Sequence, residues 1–428
     1  MTRWARATAT VLAVAVGWIL GVVAVGVAAR WVSSIPLFVF VALAVVTLTS
    51  GGSAWLAARG VSHRCGVAAI TAVFSAVVFA AAGAHLVFRP LPSTPPSTVA
   101  TVEPEQVRFW LLPTGSRLAY RHLPADGPAR ATPVLVVGGG PGEAVVGDSG
   151  KAAPFEPLTR AGFDVYLYDQ LGAGLSARLN DAAGYTVARH VADLDATREQ
   201  IGAEQVILVG ASWGASLSAS YLAEHPDRIA RAILTSPAPM DYARHPEAGD
   251  ITQHLPERPR RQARDMLPGN TRFLAWYGLG HVNPVAAHRL VPDSEADAFF
   301  DTFLSIVRPA TVCDPASLPE AQAVGNGLYT NVFTVRDASS GAQSSVAQQL
   351  RSTDVPVLVI TGECNYIPWE ATADYAATLP QTTLVCIPGA GHAPELDRPR
   401  LYAELLENFV LDEPLPLPAT PTNQPCHP

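Results

Sequence analysis

The sequence predicts an α/β protein in which a mostly parallel sheet, covered by helices on both faces, follows an N-terminal transmembrane helical region. Two observations carry this prediction. After residue 105, short and continuously apolar strands alternate with helices, as in parallel sheets that are buried on both faces. Before that point, three apolar stretches follow one another without an acidic residue. A helical cap is expected as an insertion between the later strands.

Three apolar stretches, at residues 7–29, 35–58 and 66–88, make up the N-terminal region. Each is about as long as the ~20 residues that cross the hydrocarbon core of a bilayer. The first could instead be a cleaved secretory signal, since Arg3 and Arg6 precede it, but its apolar run is long for a signal. We therefore expect three transmembrane helices, which place this region in contact with membrane lipid.

The positions of the arginines predict how these helices are oriented. Arg3 and Arg6 precede the first stretch, and Arg59 and Arg64 lie between the second and the third. Because basic residues favour the cytoplasmic side of a membrane, both groups are expected inside the cell. With three spans, the chain after the third one then lies on the extracytoplasmic side of the cell membrane.

The charge of the remaining chain argues against one class of partner. Residues 1–89 hold six of the 29 Lys and Arg residues, so 23 remain against 37 acidic residues in the rest of the chain. A soluble part with this negative balance is not expected to bind nucleic acid.

Composition divides the chain into segments. Proline-rich stretches flank a region of about 310 residues, which is large for one compact core but ordinary for a core that carries an insertion. The predicted segments are a membrane region (1–89), a Pro-rich linker (90–104), a core (105–238 and 353–411), a helical cap (239–352) and a Pro-rich tail (412–428).

The core is predicted to contain eight strands, of which the first two form an antiparallel hairpin and the others are mostly followed by helices. The predicted strands are 107–112, 117–122, 134–137, 165–168, 206–209, 232–235, 355–360 and 383–387. A helix is predicted over residues 187–201.

The most informative stretch of the chain is Gly210–Gly214, which has Ser212 at its centre. It follows the apolar strand 206–209 and precedes a helix-like segment at 217–224. A serine at the apex of a sharp strand-to-helix turn is typical of a nucleophile elbow. The turn requires small flanking residues, which the two glycines provide. Ser212 is therefore the predicted nucleophile.

A serine hydroxyl needs a base and donors for the oxyanion that forms on its substrate. His392 is the predicted base, because it lies between the last strand and the last helix and comes after the serine in the chain. The predicted oxyanion donors are the backbone amides of Trp213, directly after the nucleophile, and of Gly139 or Gly140 in the glycine-rich loop after strand 134–137.

Together these motifs resemble the α/β-hydrolase fold and, more narrowly, the proline iminopeptidase-like serine peptidases. Gly138–Gly142 is similar to the family's His-Gly-Gly-Pro-Gly, with Gly138 in place of the histidine, and Tyr168–Ser176 is similar to its Tyr-Asp-Gln-Arg-Gly-x-Gly-x-Ser. Gly210–Gly214, followed by His225–Arg228, matches its elbow and helix. The resemblance covers most of residues 105–411 and implies an aminopeptidase. In such enzymes acidic residues of the cap hold the free amine, for which the candidates here are Glu247, Glu257, Glu295 and Glu320.

The chain departs from the family at the acid that should orient the histidine. Asn365 occupies the position where the family has aspartate. An amide can orient an imidazole, but it cannot stabilise the imidazolium by charge. Three alternatives remain: Asn365 serves, alone or beside a neighbouring carboxylate; Glu363 or Asp241 replaces it; or catalysis is lost.

Three functions are therefore open. The first is a membrane-anchored aminopeptidase that forms an acyl-enzyme on Ser212, and the second is a carboxylester hydrolase with the same residues. The third is a non-catalytic binding protein. The expected substrate is a small peptide or ester, and this chemistry needs no cofactor.

Five cysteines are present, and their spacing does not suggest a metal site. Cys65 lies at the edge of a predicted span, whereas Cys313, Cys364, Cys386 and Cys426 lie in the predicted exported part. An oxidising exterior permits disulfides among these four, in any of three pairings. The alternative is that some of them are simply buried as small apolar residues.

Overall fold

The structure, a computed structural model, describes residues 3–96, 98–99, 102–267, 269–342 and 345–426. It consists of two compact units. The first contains the described residues up to Pro92 together with 180–182 and 265–295, and the second contains the remaining described residues. The predicted cap, residues 239–352, is thus divided between the two units.

The α-helices of the described residues are numbered in chain order. They are α1 Arg3–Ala29, α2 Ile35–Ala57, α3 Arg64–Leu86, α4 Glu156–Arg160, α5 Val187–Ile201, α6 Trp213–Glu224, α7 Glu257–Met266, α8 Thr271–Val282, α9 Pro284–Leu290, α10 Asp293–Val307, α11 Leu328–Asp337, α12 Val346–Leu350, α13 Trp369–Thr378, α14 Pro394–Asp397 and α15 Pro399–Leu411.

The strands are numbered in the same way. They are β1 Thr98–Val99, β2 Arg108–Leu111, β3 Arg117–Leu123, β4 Val134–Val137, β5 Val165–Tyr168, β6 Val206–Ala211, β7 Ile229–Thr235, β8 Gln322–Ala323, β9 Val357–Gly362 and β10 Thr382–Ile387.

In the first unit, α1, α2 and α3 are long and apolar enough to cross a membrane. Three of their polar side chains bond to one another, which would leave none of the three unpaired in the hydrocarbon of a membrane. Trp18 on α1 donates its indole N–H to Ser75 Oγ on α3 at 3.0 Å, and Ser75 also bonds to Ser50 on α2 at 2.9 Å.

Helices α8 and α9 of the first unit are hydrogen-bonded to one end of this helix bundle. Asn283 caps α9 and also donates to the carbonyl oxygen of Ala29 at 2.8 Å. Arg272 on α8 donates to the carbonyl of Val87 at 2.7 Å and forms an ion pair with Glu295 at 2.6 Å. The ends of α1 and α3 that these helices contact therefore lie on one side of the predicted membrane.

In the second unit, eight strands form one sheet in the order β10-β9-β7-β6-β4-β5-β3-β2. The β2–β3 and β3–β5 pairs are antiparallel, and the other neighbours are parallel. Every residue of β4 and β9 is buried, since helices cover both faces. The predicted fold class, including the three long apolar N-terminal helices, is confirmed.

Two disulfides, Cys313–Cys364 and Cys386–Cys426, select one of the three possible pairings. The second attaches the Pro-rich tail to β10, the edge strand of the sheet. The tail follows this edge, because Thr420 donates its N–H to the carbonyl of Leu384 at 2.7 Å. Among the described residues, Cys65 is a free and exposed cysteine.

Candidate active site

Ser212 lies in a strained turn between β6 and α6. Its φ and ψ are 54° and −119°, a conformation that residues other than glycine rarely adopt. A side chain at Gly210 would place its Cβ 2.4 Å from the carbonyl oxygen of Gly214, and one at Gly214 would meet Val137 O at 2.1 Å. Both glycines are therefore required for the backbone to pass this closely, and the turn exposes the serine at the carboxyl end of β6.

His392 lies in the loop after β10 and faces Asn365 in the loop after β9. The distance between His392 Nδ1 and Asn365 Oδ1 is 2.8 Å. Asn365 Nδ2 donates to Thr361 Oγ1 at 3.0 Å, and Oδ1 also accepts the N–H of Ile367 at 3.1 Å. Because these two bonds fix the amide orientation, Oδ1 accepts a hydrogen bond from Nδ1–H, and the proton on Nδ1 leaves Nε2 as the nitrogen with a lone pair, as the predicted base requires.

The alternative acids bond elsewhere. The carboxylate of Glu363 accepts the backbone N–H of Gly389 at 2.7 Å. Asp241 accepts the N–H of Ala243, two residues further along its own turn, at 2.9 Å. Of the three predicted orienters, the structure therefore brings Asn365 against the imidazole.

Tyr366 contacts the predicted base and lies near the predicted nucleophile, and sequence reasoning missed it. Its hydroxyl lies 3.5 Å from His392 Nε2, and it is close enough to Ser212 for the serine to lower its pKa slightly. Burial raises the pKa of Tyr366 to about 12, so the phenol stays protonated and can act as a donor. Its position directly after Asn365 is the one sequence signal that could have suggested it.

Loop contacts hold the predicted oxyanion donors beside the serine. Gln170 accepts the indole N–H of Trp213 at 3.2 Å and donates to the carbonyl of Gly138 at 2.7 Å, which joins the elbow to the glycine-rich loop. A Cβ added at Gly139 would lie 3.3 Å from Ser212 Cβ, so this glycine adjoins the nucleophile. At Gly140 φ is 107°, and a Cβ there would meet the Gly142 amide at 2.6 Å.

The amide of Gly139 already has an anionic partner in the structure. It donates to Oε2 of Glu143 at 2.8 Å, while Oε1 of the same carboxylate accepts from Lys151 Nζ at 2.5 Å. Burial favours the neutral acid, but the charge and hydrogen bond of Lys151 outweigh it and hold the pKa of Glu143 below its ordinary value. Glu143 is therefore a carboxylate, and no motif considered in the sequence pointed to it.

The predicted cap acids lie in varied surroundings. Glu295 is paired with Arg272 in the first unit, and Glu257 is exposed on α7, where its partners are Arg261 and Arg264. The side chain of Glu247 lies outside the described residues.

Asp169, in the loop after β5, accepts the backbone N–H groups of three residues at 2.7–2.9 Å, as expected of a loop-capping carboxylate.

The surroundings of His392 predict how activity depends on pH. Burial lowers the pKa of His392 to about 4, although the nearby carboxylate of Glu143 opposes that shift. A protonated imidazole cannot accept the proton of Ser212, so we expect kcat/KM to stay level from neutral pH to about 5 and to fall as the pH passes through about 4. A pH series of initial rates, with circular dichroism as the control for folding, measures this. A fall centred near the ordinary histidine value of about 6.5 would contradict it.

The sequence matches the family model described as the alpha/beta hydrolase fold over residues 132–399. It is 25% identical over 317 residues to the proline iminopeptidase of Lactobacillus delbrueckii subsp. bulgaricus, an alignment that covers 72% of this chain and 99% of the relative. A shorter segment of 124 residues, 29% of this chain and 41% of the relative, is 33% identical to the proline iminopeptidase of Heyndrickxia coagulans.

Two solved structures also align with most of the chain. The crystal structure of proline iminopeptidase from Mycobacterium smegmatis aligns with a TM-score of 0.47 and 22% identity, covering 72% of this chain and 98% of that one. An esterase from Exiguobacterium antarcticum aligns with a TM-score of 0.49 and 16% identity, covering 71% and 98%. By its family match and its sheet, the chain belongs to the α/β-hydrolase fold family, as a distant homologue of proline iminopeptidases over most of its length.

Proposed function

We propose that this protein is a membrane-anchored serine hydrolase, and that its activity is that of an aminopeptidase. The observation that carries the proposal is that Asn365 bonds to His392, and Tyr366 contacts His392 near Ser212, at the carboxyl ends of the sheet strands. The distant relationship to proline iminopeptidases over 72% of the chain favours a peptidase among the hydrolases with this fold.

The proposed reaction proceeds through an acyl-enzyme. Ser212 Oγ attacks the scissile carbonyl, and its proton passes to His392 Nε2 while the amides of Trp213 and Gly139 stabilise the oxyanion. The carbon–nitrogen bond then breaks, and His392 gives the proton to the leaving amine. A water molecule attacks the ester in the same way, which releases the acid and restores Ser212. Asn365 keeps Nδ1 protonated throughout, and no step requires a cofactor.

A panel of substrates tests this proposal against an esterase. The purified full-length protein is assayed with three groups of substrates. They are prolyl and alanyl amides with a free amine, the same amides after N-acetylation, and short- and long-chain esters. Turnover of the free-amine amides alone supports an aminopeptidase, whereas turnover of esters alone supports the esterase. Absence of turnover, together with no labelling by a serine-directed phosphonate, would leave a binding protein.

We further propose that the hydrolase part lies on the extracytoplasmic side of the cell membrane. The positions of the arginines favour an outer location for the α1–α2 connection and for the end of α3. Helices α8 and α9, which belong to the first unit but lie in the segment matched by the hydrolase family model, are hydrogen-bonded to those same ends. The two disulfides support the same side, since disulfides persist in oxidising compartments.

Cys65 provides a direct test of this orientation. It is free and exposed beside Arg64, on the predicted cytoplasmic side, whereas the other four cysteines are in disulfides. A membrane-impermeant maleimide is expected to leave intact cells unlabelled and to label the protein after lysis. The C65S variant, which should stay unlabelled in both, is the control. Equal labelling before and after lysis would reverse the proposed orientation.

A further inference from the structure

The hydrogen bond between Gly139 and Glu143 occupies the position that a substrate oxygen needs. The Gly139 N–H is a predicted oxyanion donor beside Ser212, and Glu143 Oε2 accepts it at 2.8 Å. A negative oxygen on this amide occupies the site of the oxyanion and repels it. Acyl transfer with this donor therefore requires the carboxylate to move away first.

The local structure keeps Glu143 charged and within reach of a substrate. Its side chain is 29% exposed, so it is not sealed inside the core. Lys151 bonds to Oε1 and leaves Oε2 for Gly139. Of the 29 basic residues in the chain, Lys151 is the single lysine, in a sequence that otherwise uses arginine. A compact ammonium holds one oxygen of the carboxylate, whereas the planar guanidinium of arginine favours binding both.

We infer that Glu143 is a specificity-determining residue that releases the Gly139 amide when a substrate presents a cationic nitrogen next to its scissile carbonyl. This inference rests on the proposed function, and it names the residue that would select substrates with a free amine. In an α-aminoacyl group the ammonium nitrogen and the carbonyl oxygen are about 3 Å apart. If the carbonyl oxygen takes the place of Oε2 on Gly139, the ammonium lies within reach of the displaced carboxylate.

The displacement conserves the pairing of every charged group. Before binding, Oε2 accepts one N–H from Gly139; afterwards it accepts one from the substrate ammonium, and the carbonyl oxygen accepts from Gly139. A neutral ester or an N-acylated amide brings no cation, so it must displace a carboxylate that then loses a hydrogen bond. Such substrates are disfavoured by the loss of a charge-assisted hydrogen bond.

The test compares E143A and E143Q with the wild type on matched substrates, one aminoacyl amide with a free amine, its N-acetyl form and a neutral ester. For E143A we expect kcat/KM to fall about tenfold or more on the free-amine amide and to rise on the neutral ester, because the amide of Gly139 is then open. E143Q keeps an acceptor for Gly139 but no charge, so it should lose the preference for the free amine without the gain on the ester.

Two controls separate the inference from the proposed function. E156Q removes an exposed carboxylate on α4 and should behave as the wild type. Labelling of Ser212 by a neutral phosphonate, with the melting temperature of each variant, reports whether the site is intact. Two outcomes would contradict the inference while leaving the proposed serine hydrolase intact, provided that the wild type is labelled. In the first, E143A and E143Q keep the preference of the wild type for a free amine. In the second, both variants lose activity equally on all substrates. If the wild type is neither labelled nor active, the proposed function fails, and the inference fails with it.

Discussion

The variant N365D is expected to raise kcat/KM by about 10²- to 10⁴-fold, since the reverse exchange in a serine enzyme can cost about 10⁴. Asn365 Oδ1 already accepts from His392 Nδ1 at 2.8 Å and from the N–H of Ile367 at 3.1 Å. An aspartate retains both bonds, and Thr361 Oγ1, which now accepts from the amide, can donate to the second carboxylate oxygen. The added charge stabilises the imidazolium that forms as Ser212 attacks. Steady-state rates of the purified variant measure the gain.

The variant N365A is the counterpart, and it should lower kcat/KM because the imidazole loses its orienting partner. D241N is the matched control, because it replaces a carboxylate by an amide at a position where Asp241 accepts the backbone N–H of Ala243. It is expected to stay within about twofold of the wild type, as surface changes usually do. A loss of activity in D241N or in E363Q that exceeds the loss in N365A would transfer the orienting role to that acid. A decrease in kcat/KM in N365D at an unchanged melting temperature would also contradict the orienting role of Asn365.

The variant S212A is expected to reduce turnover by at least about 10³-fold and to abolish labelling by a serine-directed phosphonate, since it removes the nucleophile itself. Rates and labelling of the full-length protein, together with its melting temperature, measure the effect. S352A removes an exposed hydroxyl that bonds to a neighbouring carbonyl, and it provides the matched control. Full activity in S212A would contradict the proposed nucleophile.

Most of the fold could be predicted because its signals are local. The predicted strands 134–137 and 165–168 and the helix 187–201 coincide with β4, β5 and α5. Continuous burial makes such strands apolar at every position, which is visible in the chain itself. For the elbow helix, the sequence pattern predicts a start at residue 217, but the helix begins at Trp213, directly after the serine. Its first turn contains Gly214 and two further small residues, which carry little helical signal.

The division of the predicted cap between two units could not be predicted in the same way. Residues 265–295 have the helical pattern of their neighbours, and no local property of Arg272 or Asn283 indicates what they bond. Their partners are the carbonyl groups of Val87 and Ala29, 185 and 254 residues away. Such long-range contacts depend on the tertiary fold, which brings residues 265–295 against the N-terminal helices.

The apolar length of three stretches, the positions of the arginines and the glycines around Ser212 are properties of neighbouring residues. They were sufficient to predict three helices long and apolar enough to cross a membrane, the fold family, and a candidate nucleophile and base. Only the folded chain decides which group orients His392, because Asn365, Glu363 and Asp241 each follow a sheet strand and differ in where their loops direct them. Only the folded chain also reveals Glu143 on the amide of Gly139, four residues away, since that bond depends on the tight turn of the glycine-rich loop.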